Sequence, residues 1–427
     1  MRTQRQEGWV TVRKFFNDLH LWGGLISGLV VFVVCLTGTI YVYNTELRQA
    51  AIPHYYYVKE EGVRLSIDSV VNIAESSIDG KVTGIKIPYA KNETMAVLYS
   101  KAEKNREKAE VSTGKSDSEG SGVKTPVSTQ GGGRKRSNIL MINPYSGEVI
   151  GDASEEKTKT AEFMGKMFSL HRWLLLNEVK EPIFAGIENR KLGSWISGGA
   201  TLLFLFGVLS GLVIWFPKKM RSWKNGLKIR WTANWKRINH DLHNTLGLYT
   251  WIFLFLMSVT GPFWSFDWYR EGWQKTWGTY QDPNLRRDET KLLSVLLDNS
   301  AAMNVDELIL AVNRVLPYKG DITINFAKDS TGTVSVSKNR VGFFAPSAGD
   351  KLVLDQYSGA VLEKDVFREK PLRNRIGSSV KALHIGDVYG QFSKLLFFIS
   401  CLVATSLPVT GVFIWINKMK KRPKKRK

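Results

Sequence analysis

Long apolar segments alternate with long polar segments along this chain, a pattern typical of an integral membrane protein. Four apolar segments, each more than twenty residues long, carry almost no charge and lie at 21–43, 193–216, 244–266 and 391–416. About twenty apolar residues in a helix cross the hydrocarbon core of a bilayer, so each segment predicts a transmembrane helix. The first segment is not closed by an Ala-x-Ala-like site, which favours a retained helix over a cleaved signal peptide.

The two long polar segments, 44–192 and 267–390, share a second pattern. Each contains a helical run, "IDSVVNIAES" or "VDELILAVNRVL", followed by alternating apolar and polar residues around polar turns. We therefore predict that each segment forms a helix packed on a small antiparallel sheet. The stretch 101–137 lacks apolar periodicity and is rich in Gly, Ser, Lys and Glu, so it is predicted to be a disordered insert.

An internal repeat relates the two halves of the chain. "DLHLWGGL" in the first half matches "DLHNTLGL" in the second, and the histidine of each lies seventeen residues before a Thr-Gly pair. "YSG" and a later Leu-His also recur in both halves. Each half thus has the order span, outer domain, Leu-His, span. This order predicts two parallel repeats related by a pseudo-twofold axis along the membrane normal.

The net charge of +21 is concentrated in three short pieces that lie on one side of a four-span protein. Segments 1–20, 217–240 and 417–427 hold twenty Lys and Arg residues against two acidic ones, Glu7 and Asp18. By the positive-inside rule these pieces are cytoplasmic, and their partners are anionic lipid headgroups rather than nucleic acid. The predicted order is a cytoplasmic N-terminus (1–20), a first span (21–43), a first outer domain (44–192), a second span (193–216), a basic loop (217–243), a third span (244–266), a second outer domain (267–390), a fourth span (391–416) and a basic tail (417–427).

Four of the six histidines form two repeat-related pairs. His20 corresponds to His243 near the cytoplasmic ends of the first and third spans, and His171 corresponds to His384 on the outer side. The twofold axis lets each pair face itself across the bundle, one pair near each membrane surface. Two facing imidazoles suit the axial positions of a haem iron, so the pattern predicts two noncovalent b-type haems. A different metal would require a third or fourth His, Cys or carboxylate ligand nearby.

Alternatives remain at several positions. His240 lies three residues before His243 on the same helix face, but its repeat counterpart is Asn17, which favours His243 as the ligand. His54 is predicted to be an ordinary interfacial residue. Arg172 could pair with a haem propionate or with a lipid headgroup. Other predicted roles are helix caps for Asp18 and Asp241, close backbone approach at Gly23, Gly24, Gly28, Gly247, Gly386 and Gly390, and aromatic lining by Trp22, Trp173 and Phe392.

Other cofactor motifs are missing from the sequence. There is no CxxCH for covalent haem, and the two cysteines, Cys35 and Cys401, both lie inside predicted spans, so no disulfide framework exists. No GxGxxG motif for binding a dinucleotide follows a predicted strand in the cytoplasmic segments. The predicted cytoplasmic loop is also too short for a flavin reductase domain. The electron donor is therefore expected to be a membrane quinol or a separate cytoplasmic reductase.

Taken together, the motifs "DLHLWGGL…TG", "YSG", "LHRWLL", "DLHNTLGL…TG" and "LHIGDVYG" resemble those of the PepSY-associated transmembrane proteins, often described as iron-regulated membrane proteins. The resemblance covers the chain except the insert and the tail. It implies four helices in the bacterial inner membrane and two periplasmic α+β PepSY-like domains. It also implies bound b-type haem and single-electron reduction of a ferric siderophore. His20, His171, His243 and His384 carry over as the haem iron ligands.

The main hypothesis is therefore a membrane ferric-chelate reductase, in which electrons pass from a cytoplasmic-side haem to an outer haem and then to Fe(III). The protein fixes the ligands and access while the cofactor performs the chemistry. Two alternatives use the same spans differently. One is a membrane anchor whose outer domains bind a periplasmic protein partner, which leaves the repeated histidines without a role. The other is a transporter of siderophore or iron, although the predicted spans carry no buried acidic residue.

Overall fold

The computed structural model describes residues 2–101, 138–217, 220–282, 292–295 and 301–420. The predicted insert, apart from Lys101, and the end of the basic tail lie outside the described residues. In chain order the helices are α1 (Arg2–Tyr41), α2 (Asn44–Ala51), α3 (Pro53–Tyr56), α4 (Ile67–Ser77), α5 (Lys159–Trp173), α6 (Asn189–Trp215), α7 (Trp235–Thr260), α8 (Asp267–Trp277), α9 (Val305–Val315), α10 (Leu372–Ser378), α11 (Val380–Ile385) and α12 (Gly390–Met419). The strands are β1 (Gly80–Ile87), β2 (Met95–Lys101), β3 (Asn138–Ile142), β4 (Val149–Gly151), β5 (Gly320–Asn325), β6 (Thr333–Arg340), β7 (Asp350–Asp355) and β8 (Val361–Asp365).

Four of these helices are long and apolar enough to cross a membrane: α1, α6, α7 with its 3-10 extension to Trp264, and α12. Helices α1 and α7 each pack against both α6 and α12, so the four form a ring. Many large apolar side chains face outward, while the buried positions of the spans are mostly Gly, Ser, Thr and Ala. Small residues let transmembrane helices approach closely, and apolar side chains suit lipid, so the chain has the surface of a multi-pass membrane protein.

Helices α1 and α7 extend well beyond the apolar segments at the basic end of the bundle. His20 and His243 consequently lie inside helices rather than at their ends. The predicted capping role of Asp18 and Asp241 is therefore wrong. The cap of α7 is Asn234, whose side chain accepts a hydrogen bond from the Arg237 backbone at 3.0 Å.

Asp241 instead ties the basic loop to α7. Its carboxylate is buried, pairs with the Arg237 guanidinium at 2.9 Å and accepts a hydrogen bond from the Arg230 backbone at 3.3 Å. A buried carboxylate needs partners of this kind because water is excluded from it. The residue two positions before His243 thus has a structural role on the side of the helix facing the loop.

The polar segments form one antiparallel sheet of eight strands, in the order β4-β3-β2-β1-β5-β6-β7-β8. The sequence predicts a separate small sheet in each half, but β1 and β5 pair and join the two. Their central pair, Ile85 opposite Ile324, is fully buried, and helices α4 and α9 cover a core shared by both halves. Pairing β1 with β5 removes an exposed edge from each half, which explains why the two sheets merge.

The repeated "YSG" motif forms the same turn twice in this sheet. Asn143 and Asp355 each accept a hydrogen bond from the backbone of the Tyr two residues later, at 2.9 Å in both turns. Gly147 and Gly359 then adopt positive φ angles of 73° and 66°, which glycine accepts without steric cost. The motif therefore has a structural role in the β3–β4 and β7–β8 connections.

Candidate functional site

Two histidines face each other at the basic end of the four-helix ring. His20 of α1 and His243 of α7 have ring centroids 6.1 Å apart, and their planes are inclined at 89°. Because α1 and α7 are each flanked by α6 and α12, the two rings meet in the middle of the bundle. The sequence repeat predicts that His20 and His243 face each other across the bundle, and the structure places their rings in this way.

A second pair lies toward the sheet. His171 ends α5, which packs along α1, and His384 ends α11, which packs along α7. Their ring centroids are 6.2 Å apart, and their planes are inclined at 59°. Each histidine of this pair is thus carried by a short helix leading into the second or fourth span.

At the basic end, the Nδ1 atom of each ring is bound to a neighbouring span. His20 Nδ1 lies 2.9 Å from the Gly207 carbonyl and 3.2 Å from the Ser210 hydroxyl of α6. His243 Nδ1 lies 2.8 Å from the Thr410 hydroxyl of α12. Each imidazole is therefore oriented by a helix other than its own.

The sheet-side pair is bound in the same way. His171 Nδ1 lies 2.8 Å from the Val34 carbonyl and 3.4 Å from the Thr37 hydroxyl, both on α1. His384 Nδ1 lies 3.2 Å from the Met257 carbonyl and 3.1 Å from the Thr260 hydroxyl, both on α7. All four rings consequently have Nδ1 next to a serine or threonine hydroxyl.

These contacts determine which ring nitrogen carries the proton. A carbonyl oxygen can only accept a hydrogen bond. Each of the four hydroxyls already donates its proton to a carbonyl of its own helix, as Ser210 does to Phe206 at 2.6 Å and Thr410 to Ser406 at 3.0 Å. The hydroxyls therefore also accept, so Nδ1 is the donor in every ring. The lone pair of each Nε2 remains available for a metal, an arrangement that is usual for metal-bound histidine.

A glycine follows each of these hydroxyl residues and makes room for the ring. A Cβ at Gly38 would lie 3.1 Å from Cε1 of His171, and one at Gly211 would lie 3.3 Å from Cε1 of His20. Gly261 and Gly411 make the equivalent close approaches to His384 and His243, at 3.6 and 3.5 Å. Each imidazole thus lies edge-on against a Ser-Gly or Thr-Gly step. Sequence reasoning used these glycines to align the repeats but did not assign them this role, although their fourfold recurrence is a visible signal.

The separation of the paired rings fits two imidazoles on one metal ion. An imidazole nitrogen binds a first-row metal at about 2.0–2.1 Å and lies about 1.1 Å from its ring centroid, which places two opposed centroids about 6.2 Å apart. The observed values are 6.1 and 6.2 Å. Among the residues that the structure describes, no group of three His, Cys, Asp or Glu side chains could hold a metal ion.

The basic-end pair opens into a cavity of about 350 Å³ lined by all four spans. Its walls are mainly apolar, and three of the glycines named from the sequence, Gly24, Gly28 and Gly247, line it. Its aromatic lining comes from Phe204, Trp215, Trp251 and Trp415. A largely apolar cavity of this size with a few convergent polar groups is the common form of a cofactor site.

Two of the predicted lining aromatics pack elsewhere. Trp22 is 58% exposed on the outside of the bundle, and Phe392 packs on Phe343 and Phe344. Trp173, two residues after His171, packs against Arg172 and Arg190. Gly386 adopts a positive φ angle of 79° just after α11, and Gly390, the first residue of α12, one of 55°. Because side-chain direction depends on helix rotation, proximity in sequence to a histidine did not predict these contacts.

The structure also separates the candidate ligands from the other two histidines. The His240 side chain is 53% exposed and lies 3.7 Å from Asp241, whereas His243 faces His20. His54 packs on Tyr55, with ring centroids 4.6 Å apart, and belongs to neither pair. The choice of His243 over His240 therefore agrees with the geometry.

The two pairs are separated by most of the length of the bundle. At 1.5 Å per residue, the eighteen residues from His20 to Gly38 on α1 span about 27 Å. An apolar cluster around Val208, Leu254 and Ala404 lies between the pairs, with Trp251 stacked on Phe255 at 5.6 Å. This distance is close to the thickness of a hydrocarbon core.

The family model described as the PepSY-associated TM region matches residues 18–418. The chain belongs to this family. The match begins just before His20 and ends just after Trp415, so it covers both histidine pairs of this PepSY-associated membrane protein. A comparison with curated proteins gives no match.

Proposed function

We propose that this PepSY-associated protein binds two b-type haems and transfers single electrons across the bacterial inner membrane to a ferric chelate. The observation that carries this proposal is the geometry of the four imidazoles. They form two facing pairs, 6.1 and 6.2 Å apart, with every Nδ1 engaged as a donor. His20 and His243 would hold one haem, and His171 and His384 the other. When bound, haem supplies a one-electron Fe(III)/Fe(II) couple.

Other residues near the pairs suit the carboxylates of such a macrocycle. Arg172 is adjacent to His171, and its Nε atom is buried without a hydrogen-bond partner. Burial, and then the charge of Arg190, lower the pKa of Arg172, so an anion next to it would be stabilising. At the basic end, Lys418 lines the cavity. Arg172 and Lys418 would orient the carboxylates, while the apolar walls would exclude water from the ligands.

The proposed direction of transfer follows from the charges and the sheet. The basic loop and the ends of α1 and α12 would lie in the cytoplasm, with both termini, because basic residues concentrate on that side. The sheet would then lie in the periplasm as two PepSY-like halves related by the pseudo-twofold repeat. A membrane quinol or a cytoplasmic reductase would donate at the basic end. A simple membrane anchor or a transporter would give no role to the two facing histidine pairs, whose Nδ1 atoms are all hydrogen-bonded.

The proposed substrate is a ferric siderophore or another ferric chelate, in line with the family resemblance. Fe(III) bound by hard oxygen ligands is held far more strongly than Fe(II), so the transfer of one electron releases the metal. No side chain needs to act as nucleophile or general acid in such a step. The contribution of the chain is to hold the imidazoles, exclude water and give the chelate access.

The test uses the purified full-length protein in detergent, without oxygen. The protein is reduced with dithionite, separated from excess reductant and mixed with ferric citrate or a ferric hydroxamate in the presence of a ferrous-specific chromogenic chelator. We expect the reduced Soret and α bands to be lost and one Fe(II) to appear for each electron transferred. A colourless protein would contradict haem binding, whereas a haem-loaded protein that stays reduced would contradict only the reductase activity.

A milder change tests the hydrogen bond to Nδ1. Thr410→Val keeps the shape of the side chain but removes the acceptor 2.8 Å from His243 Nδ1. Loss of such an outer partner typically weakens metal binding by about 10–100-fold, and we expect faster haem loss to an excess of an apo-haem acceptor protein. Thr405→Val on the same helix is the control, because Thr405 donates only to the Cys401 carbonyl. Equal rates of haem loss in both variants would contradict the orienting role.

A further inference from the structure

A second cavity, of about 450 Å³, lies in the sheet domain where the two halves meet. Its walls come from the end of β1, the α9–β5 connection, β5 and β6, together with the segment before α4. Three cationic side chains line it: Arg64, Lys319 and Lys338. Among the described residues, no carboxylate lines it. The cavity shares no lining residue with the basic-end cavity, and the proposed electron transfer does not use it.

Lys338 is the most unusual of these residues, because only 2% of it is exposed. Its ammonium group donates to the Asn313 side chain at 2.6 Å and to the Leu316 carbonyl at 2.7 Å, and both acceptors are neutral. An ammonium has three donors, so one remains for the cavity that Lys338 lines. Burial first, and Arg340 second, lower the pKa of Lys338, which indicates that its charge is poorly compensated.

Arg64 forms another wall of the cavity and is also incompletely bonded. Its Nη2 donates to the Ala90 carbonyl at 2.7 Å, and its Nε is buried without a partner. Lys319 lies 5.8 Å from the ring centroid of Tyr89. Within the described residues, none of the three lining cations lies within 4.0 Å of a carboxylate. Cations that are buried or confined without counter-charges favour an anion between them.

Three acidic side chains, Asp350, Asp321 and Glu93, lie near the residues that line the cavity, and Glu93 interacts electrostatically with Asp321 and Arg64. Asp350 accepts hydrogen bonds from the Tyr318 hydroxyl at 2.8 Å and from the Phe367 backbone at 2.9 Å. Asp321 accepts from the Tyr89 backbone at 2.9 Å. Arg340 lies over the Tyr318 ring at 3.7 Å and adds a fourth positive charge beside the cavity. The positive charges therefore exceed the negative charges around this space.

We propose that the cavity binds a small, multiply charged oxyanion carrying carboxylate or phosphate groups. The Arg64 guanidinium offers a planar fork for one oxyanion group, and Lys338 offers a buried point charge for another. The open side of the cavity admits the ligand, and the exposed Lys319 would attract it. Because β1 and β5 form the floor together, the site exists only when the two halves form one sheet.

The test is calorimetric titration of the full-length protein in detergent with citrate, with inorganic phosphate in a separate arm, both at low salt. We expect saturable binding of at least one anion, weakened as ionic strength rises because the charges are partly exposed to solvent. Tighter binding of citrate would identify a polycarboxylate ligand, and tighter binding of phosphate would identify a phosphate ligand. Absence of saturable heat with both anions would overturn the proposal.

Variants locate the binding within the cavity. Lys338→Met and Arg64→Gln should each weaken binding by about tenfold or more, as expected when one charged partner of an ion is removed. Lys319→Gln changes an exposed residue and should weaken anion binding without disturbing the fold. It therefore tests the site even if the Lys338 variant does not fold. Lys351→Gln removes an exposed lysine of β7 outside the cavity and is the control. Equal affinity in the Lys319 and Lys351 variants would place the anion elsewhere and overturn the assignment.

Discussion

Replacing His243 with alanine is expected to halve the haem content of the purified protein, from about two to about one per chain, as measured by the pyridine haemochrome method. The His243 imidazole faces His20 with ring centroids 6.1 Å apart and is one of the two ligands proposed for the basic-end haem. A single remaining imidazole holds a noncovalent haem weakly. The remaining absorption should come from the haem that His171 and His384 would hold.

The matched control is His240→Ala. His240 lies three residues away on the same helix, is 53% exposed and is not part of the facing pair. Its removal should leave the haem content unchanged, apart from a modest effect of losing a polar group at the cavity rim. If His240→Ala lowered the haem content and His243→Ala did not, the assignment of the basic-end ligand would be wrong.

Gly38→Val is expected to remove the other haem. Even a Cβ at this position would lie 3.1 Å from Cε1 of His171, and valine adds two methyl groups in a confined space between helices. The imidazole would be displaced from its line with His384, and the Nδ1 contact to Val34 would be lost with it. We expect the haem content to fall to about one per chain while the basic-end haem remains, because axial ligation depends on both imidazoles.

Gly199→Val is the control for this variant. Gly199 lies in the span α6, and a Cβ there has no atom within 4 Å, so the same change in helix propensity occurs without a clash. Gly38→Val and His243→Ala should each retain one haem, and not the same one. Redox titration should therefore give a single midpoint potential for each of these two variants, with different values. Loss of haem in both glycine variants would indicate that general helix destabilisation is the cause.

Much of the architecture could be predicted from the sequence because the bilayer imposes strong local constraints. A span needs about twenty apolar residues, and the four helices found occupy the four predicted segments. The alternation of β5 and β6, with buried residues at every second position, is equally local. The repeat added information that no single segment contains, since it selected His243 over His240 and paired His171 with His384.

Other features could not be predicted, because they depend on how separate elements meet. The joining of β1 to β5 depends on two edges more than two hundred residues apart. The contacts that orient each imidazole come from a different helix, so neither His20 nor Ser210 alone indicates the other. The rotation of α1 turns Trp22 outward while Gly24 lines the cavity, and sequence spacing near a histidine does not determine that rotation.

By itself, the sequence determined the four membrane-length helices and placed four histidines in matching sequence motifs, because hydrophobic length and motif spacing are properties of local segments. The tertiary structure alone decided that the histidines meet in pairs, that each Ser-Gly or Thr-Gly step orients a ring through Nδ1, and that two half-sheets share one core. It also decided that Lys338 and Arg64 line one cavity. These are relations between distant residues, and they exist only once helices and strands pack against one another.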